Sequence, residues 1–153
     1  MRLTLATDYA LRTLMLVGAK DGERATIAEI ADTFSGSRAH LMKVVNKLAR
    51  LGYLESLRGK GGGLRLKRPP AAIGVGEVVR HFEDELAVMG CFVDGGFCRL
   101  DGCCVLKRAL GEATAAFLDA LDRYTLADLL APGAALKARL GLAAKPAARA
   151  AIR

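Results

Sequence analysis

The stretch that decides the fold runs from Arg38 to Arg68 and reads RAHLMKVVNKLARLGYLESLRGKGGGLRLKR. In its first half, apolar residues recur every three or four positions while basic and polar residues occupy the others, which predicts an amphipathic helix. Gly52 is a natural end for this helix. The apolar positions are Leu41, Val44, Val45, Leu48 and Leu51. One side of the helix is therefore expected to pack on a core, while the other side is basic.

The second half of the same stretch predicts a β-hairpin. Residues 53–58 (YLESLR) and 64–68 (LRLKR) alternate between apolar and polar side chains, and the glycine-rich segment 59–63 (GKGGG) separates them. A nucleotide-binding phosphate loop is the rival interpretation of GKGGG, but the required Gly-x4-Gly-Lys-Ser/Thr spacing is absent. A hairpin placed directly after a basic helix indicates the wing of a DNA-binding domain.

Two further helices are predicted before the basic helix. Residues 5–19 carry a wide apolar stripe at helical spacing. Residues 26–29 (TIAE) fit a capping box that begins a second, short helix, and residues 35–37 (SGS) predict a tight turn into the basic helix. Two helices around a tight turn, the second basic on one side, indicate a helix-turn-helix. We therefore predict a mainly α fold with a winged helix-turn-helix DNA-binding domain, including a two-stranded wing, over residues 1–85.

The part of the chain after the wing predicts a cysteine loop and a long helix. Residues 75–85 (VGEVVRHFEDE) form a short amphipathic helix, and residues 86–104 form the loop. Apolar residues at helical spacing then predict a dimerisation helix and a terminal turn over residues 105–130, with packing on the first helix as the alternative. Residues 131–153 are basic, rich in alanine and aperiodic, so we expect a mobile tail.

The basic charge of the chain is concentrated around the predicted recognition helix and wing. The formal net charge is +7, and residues 38–68 hold nine Lys and Arg against one acidic residue. Such a density is expected of a surface that neutralises DNA phosphates, although a solvated basic face fits the charge equally well. We expect His40 and Lys43 to approach base edges and the wing residues to contact the DNA backbone or minor groove. The predicted DNA-binding residues are Arg38, His40, Lys43, Lys47, Arg58, Lys60 and Arg65.

The composition favours a soluble, cytoplasmic protein. Hydrophobic residues make up 52% of the chain and charged residues 25%, and Asp8 and Arg12 interrupt the N-terminal apolar stretch. No apolar run approaches the roughly 18 residues that a membrane-spanning helix requires. In the reducing cytoplasm, clustered cysteines are expected to be metal ligands or redox thiols.

All four cysteines of the chain lie within residues 91–104. A disulfide is disfavoured by the reducing compartment, and a thiol enzyme is disfavoured because no histidine lies nearby. Structural zinc usually uses a pair of ligands with two to four intervening residues, and Cys98 and Cys103, with four residues between them, keep that interpretation open. The wider spacing C-x6-C-x5-C of Cys91, Cys98 and Cys104 suits a cluster larger than one ion.

The chain resembles the Rrf2 family of winged-helix repressors, and within it the members that sense nitric oxide. The resemblance covers residues 1–130. It is carried by the motifs HLMKVVNKLARLGYLESLRGKGGGLRL, VGEVVR, FCRLDGCCVLKRAL and YTLADLL. It implies a homodimer that binds a palindromic operator in double-stranded DNA, and an iron–sulfur cluster near the dimer interface.

The same resemblance implies a set of cluster ligands. Cys91, Cys98 and Cys104 match the three ligand cysteines of the nitric-oxide-sensing members, while Cys103 takes the place of a small residue. Asp8, within the motif Thr-Asp-Tyr, matches a fourth ligand that some members supply from the partner subunit; the alternative is that it complements the helix dipole. Lys107 stands where a cluster-assembly branch of the family has a histidine ligand. The resemblance therefore implies a 4Fe–4S cluster rather than a 2Fe–2S cluster.

These features together predict a transcriptional repressor and not an enzyme. Nitric oxide would be the signal, and its reaction with the cluster would relieve repression. One alternative is a regulator of the same family that responds to the supply of iron or of iron–sulfur clusters. A second alternative is a zinc or thiol-redox protein that binds nucleic acid.

Overall fold

The computed structural model describes residues 2–57, 59, 61–83, 86, 88–92 and 98–142. Within these residues the fold is mainly helical, with one small antiparallel sheet, as predicted. The elements in chain order are α1 (Leu5–Ala19), α2 (Ile27–Phe34), α3 (Arg38–Arg50), β1 (Leu54–Leu57), β2 (Gly63–Leu66), α4 (Val75–Phe82), α5 (Val105–Asp122), α6 (Leu126–Leu130) and α7 (Ala134–Arg139). No helix among the described residues is both long and apolar enough to cross a membrane.

Helix α1 is the centre of the hydrophobic core. Thr4 caps its first turn by accepting a hydrogen bond from the backbone N–H of Thr7. The helix packs against α2, α3, α4, α6 and β2. Its buried apolar side chains include Leu14, Leu16 and Val17. A shift of α1 would therefore act directly on α2, α3, α4 and β2 of the DNA-binding domain.

Helices α2 and α3 form the predicted helix-turn-helix. The capping box is present, because Thr26 accepts from the N–H of Glu29 and the Glu29 carboxylate accepts from the N–H of Thr26. Ser35 ends α2 with a φ of 51°, and the Ser37 hydroxyl then caps α3. Four of the five apolar positions predicted to face the core, Leu41, Val44, Val45 and Leu48, are buried, and the fifth, Leu51, is half-buried and directly follows the helix.

The wing is anchored to the loop before α2. Strands β1 and β2 pair with Leu54 opposite Leu66 and Leu57 opposite Gly63. Ala25 and Leu64 exchange two backbone hydrogen bonds of 3.0 and 2.7 Å. A Cβ at Gly63 would lie 2.9 Å from the Ala25 carbonyl oxygen, so this position requires glycine. The Arg24 guanidinium also donates to the Gly61 carbonyl, which fixes the wing turn relative to the helices.

Tyr53 and Arg68 connect the wing to α4. The buried Tyr53 hydroxyl lies 2.7 Å from Nδ1 of His81, and the Arg68 guanidinium lies 5.2 Å from the Tyr53 ring centroid. Arg68 also donates to Glu77, with a nitrogen–oxygen distance of 2.9 Å. This hydrogen bond is the main reason why the pKa of the Glu77 carboxyl lies below its ordinary value.

We expect Glu77→Gln to lower the stability of the cluster-free protein in a pH-dependent way. Because the folded-state pKa of Glu77 is depressed, its contribution is present above the ordinary pKa of 4.5 and is lost as the pH falls through the folded value. The pair is partly exposed, so the loss at pH 7 should be below about 1 kcal/mol. Urea unfolding across a pH series measures this effect. A difference in unfolding free energy between variant and wild type that stays constant below pH 4.5 would contradict this prediction.

Helix α5 packs against α4 within the subunit. The Arg80 guanidinium and the Asp122 carboxylate join the two helices, with a distance of 2.7 Å between Nη1 and Oδ1. None of the α5 residues, all of which the structure describes, is buried in the single subunit. At its N-terminal end, Val105 is 65% exposed and Leu106 is 56% exposed. The alternative of packing on α1 therefore does not describe the main contact of α5.

The segment after α6 contains an element that the sequence did not predict. Helix α7 lies within the stretch read as aperiodic, and Lys137 forms an ion pair with Asp21 in the loop after α1. Leu140 is buried directly after this helix. Contacts with residues distant in sequence hold α7 in place, so the periodicity of its own residues did not indicate a helix. Residues 143–153 of the predicted tail lie outside the described part of the chain.

Candidate DNA interface and cysteine site

The exposed face of α3 is basic and contains no carboxylate. Because Leu41, Val44, Val45 and Leu48 turn one face of α3 into the core, the opposite face of the helix is left to solvent. Its sequence has no Asp or Glu. The exposed residues on this face are Arg38, Ala39, Met42, Lys43, Asn46 and Arg50. This face meets the geometric and electrostatic requirements of a recognition helix in the major groove.

The predicted DNA-binding residues of α3 differ in their surroundings. Arg38 and Lys43 are exposed, and Arg38 makes only a long, 3.5 Å ion pair with Asp32. His40 is half-buried, and its ring packs edge-on against Tyr9 at a centroid distance of 5.3 Å. The Lys47 ammonium lies 4.9 Å from the centroid of the Phe82 ring. His40 and Lys47 are thus tied to the α1 and α4 sides of the domain, at the edge of the exposed face.

The wing residue Arg65 is paired within the hairpin. It lies opposite Glu55 in the strand register, and its guanidinium donates to the Glu55 carboxylate. Its side chain is half exposed and therefore open to a phosphate. Arg58 and Lys60, the other predicted wing residues, lie outside the described residues.

We expect Arg65→Ala and Glu55→Gln to change DNA affinity in opposite directions. Loss of the Arg65 cation should weaken binding to all duplex sequences and flatten the salt dependence by about one phosphate contact. Glu55→Gln removes the competing carboxylate, so binding should strengthen. Affinity measured at several salt concentrations tests both variants. An unchanged salt slope in Arg65→Ala would count against a backbone contact by the wing.

The cysteines are free thiols at the N-terminal end of α5. Cys91, Cys98 and Cys104 are half-buried, whereas Cys103 is exposed. The Cys104 sulfur caps α5, because it accepts a hydrogen bond of 3.3 Å from the backbone N–H of Lys107. Residues 93–97, between the first two cysteines, lie outside the described residues.

Lys107 contacts Cys104 through its backbone amide and Asp101 through its ammonium. Its ammonium is 2.8 Å from Oδ1 of Asp101, and this ion pair spans the segment between Cys98 and α5. The Asp101 carboxylate is the main cause that raises the pKa of Lys107, and the sulfurs of Cys91 and Cys98 raise it further. The backbone amide of the same lysine binds the Cys104 sulfur.

A cavity of about 530 Å³ adjoins this end of α5. Its lining residues are Asp101, Gly102, Cys103, Cys104, Val105, Lys107 and Arg108. No three Cys, His, Asp or Glu side chains among the described residues converge closely enough to hold a single metal ion. The donor set, three free thiols near one cation, nevertheless has the chemistry of an iron–sulfur site, since thiolates are the usual ligands of such clusters.

The Asp8 carboxylate is paired with Arg12, and among the described residues it makes no hydrogen bond to a cysteine of its own subunit. Its carboxylate accepts from Nε of Arg12 at 2.7 Å, and its side chain is 40% exposed in the first turn of α1. The position is compatible with both earlier interpretations, because an exposed carboxylate can complement the helix dipole or meet a group on another subunit.

Glu83 is a buried residue that sequence reasoning missed. It was included in the polar end of the helix predicted over residues 75–85, but α4 ends at Phe82. Glu83 is 8% exposed, and its Oε1 accepts from the backbone N–H of Thr4 at 2.7 Å and from the hydroxyl groups of Thr4 and Thr7. The C-cap residue of α4, three positions before the cysteine loop, is thereby bound to the first turn of α1. No local pattern indicated this contact.

Comparisons with known proteins agree with the fold. The model of the Rrf2 family, described as an iron-dependent transcriptional regulator, matches residues 3–132. The HTH-type transcriptional regulator NsrR of Geobacillus kaustophilus is 49% identical over 142 residues, covering 92% of this chain and 97% of that protein. NsrR of Bacillus subtilis is 47% identical over 132 residues, covering 85% and 90%. The structure of CymR, the global cysteine regulator of B. subtilis, superposes with a TM-score of 0.71 at 27% identity, covering 86% and 98%.

Proposed function

The chain belongs to the Rrf2 family of transcriptional regulators, and on this premise we propose that it is a repressor whose DNA binding is relieved when nitric oxide reacts with an iron–sulfur cluster in the cysteine loop. DNA binding and regulation of transcription follow from the family and from the exposed basic face of α3. The cluster and its signal are the proposed part. The name of the NsrR relatives supports nitric oxide as that signal.

The observation that carries the proposal is the set of three half-buried free thiols in the segment that leads into α5, with the Cys104 sulfur capping that helix. Cys91, Cys98 and Cys104 would hold the cluster, and the Lys107 ammonium would offset the negative charge of their thiolates. When bound, a cluster held by three cysteines supplies an iron atom without a protein sulfur, at which a small molecule can react. A 4Fe–4S cluster fits this ligand count. Cys103 is exposed and is left out of the ligand set.

Two features support a homodimer that places the cluster near its interface. Helix α5 has no buried residue in the single subunit, although it carries exposed apolar side chains. A second copy of the chain would cover them. Asp8 of the partner subunit would complete the ligand set, and its carboxylate would then bind iron instead of Arg12. A carboxylate is a hard ligand for a soft site, so it would be the displaceable one.

The link to DNA runs through α1. Glu83, the C-cap residue of α4 just before the cysteine loop, binds Thr4 and Thr7 at the start of α1, and α1 packs directly against α3. A change in the cysteine loop therefore has a short route to the recognition helix. Ligation across the dimer would favour one arrangement of the two recognition helices, and loss of ligation would release it.

Titration of nitric oxide into anaerobically purified protein tests the function. Visible absorbance and binding to a labelled operator duplex are followed together, and both should change at the same stoichiometry. The family description as iron-dependent favours iron supply as the second candidate signal. DNA release by an iron chelator, with no response to nitric oxide, would support that candidate. A colourless, zinc-loaded protein would contradict both.

A further inference from the structure

The exposed face of α3 carries two side chains suited to reading A·T base pairs. Met42 is 52% exposed, although it belongs to a helix whose other large apolar residues are in or next to the core. Asn46 lies one turn further along on the same face and is also exposed. Within the described part of the chain, the Asn46 side-chain amide makes no hydrogen bond. Neither side chain is explained by the packing of the subunit.

We propose that Met42 and Asn46 are specificity-determining residues that recognise A·T pairs in the major groove, Met42 through the thymine methyl group and Asn46 through adenine. This inference rests on the DNA-binding function stated above. Thymine is the base that presents a methyl group in the major groove, and apolar side chains read it by contact. An asparagine amide matches adenine in two hydrogen bonds, because it donates to N7 and accepts from the N6 amino group.

The surroundings of the two residues identify the occupant as duplex DNA. Arg38, Lys43 and Arg50 share the exposed face, and α3 has no Asp or Glu. Such a face attracts phosphates and lacks the carboxylate that reads the cytosine amino group. His40, which the sequence assigned to base edges, packs its ring against Tyr9 and is half-buried.

The spacing of the two residues matches the spacing of base pairs. Residues four positions apart on a helix are separated by about 6 Å along the axis. Successive base pairs are separated by about 3.4 Å. A separation of about 6 Å therefore lets Met42 and Asn46 contact different A·T pairs within one half-site, with Lys43 on the same exposed face.

The test begins with selection of a consensus duplex from a random library by the full-length, anaerobically purified protein. In that duplex each thymine is then replaced in turn by deoxyuridine, which lacks the methyl group. At one position per half-site, wild-type affinity should fall about four-fold, the effect of one buried methyl-sized group. The affinity of Met42→Ala should not change when the methyl group at that position is removed. The affinity of Met42→Leu, which keeps an apolar side chain, should still fall.

The adenine contact is tested in the same way with 7-deazaadenine, which lacks the N7 acceptor. Wild-type affinity should fall about five-fold or more at one position, and Asn46→Ala should be insensitive there. Both variants should keep the salt dependence of binding, because neither side chain neutralises a phosphate. A purely structural role would not produce this selective insensitivity to a single modified base.

Three results would overturn the inference. If removal of the thymine methyl group lowered the DNA affinity of wild type and of Met42→Ala equally, the methyl contact would belong to another residue. A selected consensus without A·T pairs, or equal affinity for all duplexes, would refute the assignment while leaving DNA binding intact. Absence of any salt-dependent binding to DNA would refute the DNA-binding function together with the inference.

Discussion

We expect Cys91→Ala, Cys98→Ala and Cys104→Ala each to abolish stable iron–sulfur binding, and Cys103→Ala to preserve it. Each of the three half-buried thiols would be an anchor for the cluster, and no other sulfur stands at the same place in the loop. Cys104 has a further role, because its sulfur caps the first turn of α5. Visible absorbance, together with iron and sulfide content per subunit after anaerobic purification, measures the result.

Cys103→Ala is the matched control for these three variants. It removes a neighbouring thiol of the same chemistry, but one that is exposed. A colourless Cys103→Ala protein would show that this residue belongs to the ligand set. A full cluster in Cys98→Ala would refute the three-ligand arrangement, since Cys98 has no adjacent cysteine that could replace it. The cluster-free variants should remain folded, because none of the cysteines is in the hydrophobic core.

Glu83→Ala should cause the largest loss of stability among the variants considered. The substitution leaves the buried Thr7 hydroxyl and the Thr4 amide without their shared acceptor. Breaking hydrogen bonds of this kind costs about 2 to 3 kcal/mol of unfolding free energy. Urea unfolding of the cluster-free protein measures this loss. A change below about 0.5 kcal/mol would show that water replaces the carboxylate without cost.

Glu83→Gln separates the hydrogen bonds from the charge. A glutamine keeps a carbonyl oxygen that can accept from the same three donors, so most of the stability should remain. If the contact also couples the cysteine loop to α1, Glu83→Ala should reduce the difference in DNA affinity between cluster-loaded and cluster-free protein. An unchanged difference would limit Glu83 to a structural role.

The DNA-binding domain could be predicted closely from the sequence because its signals are local. The apolar spacing in α3 and the Thr26–Glu29 capping box each lie within a few turns of chain, and the structure contains both. The wing was predictable from two alternating segments around a glycine turn, and β1 and β2 pair as that pattern requires. In each case, short-range geometry favours one conformation whatever the rest of the chain does.

The cysteine site was predictable in part. The spacing of the cysteines indicated a site in the loop, and the resemblance to the Rrf2 family selected three of them. Neither the spacing nor the resemblance could show that the Lys107 amide binds the Cys104 sulfur, or that Asp101 binds the Lys107 ammonium. Met42 carried a usable signal, because it falls outside the apolar stripe of α3 that the spacing defines.

The sequence by itself determined where the wing and the helices up to α6 lie and which loop holds the thiols. Only the tertiary structure decided that Glu83 binds Thr4 and Thr7, that His40 packs on Tyr9 and that Lys137 pairs with Asp21 near α7. Glu83 and Thr4 are separated by 79 positions along the chain. A contact of this kind has no period or cap to indicate it, because it forms only when the packing of the apolar faces brings two polar side chains together away from water.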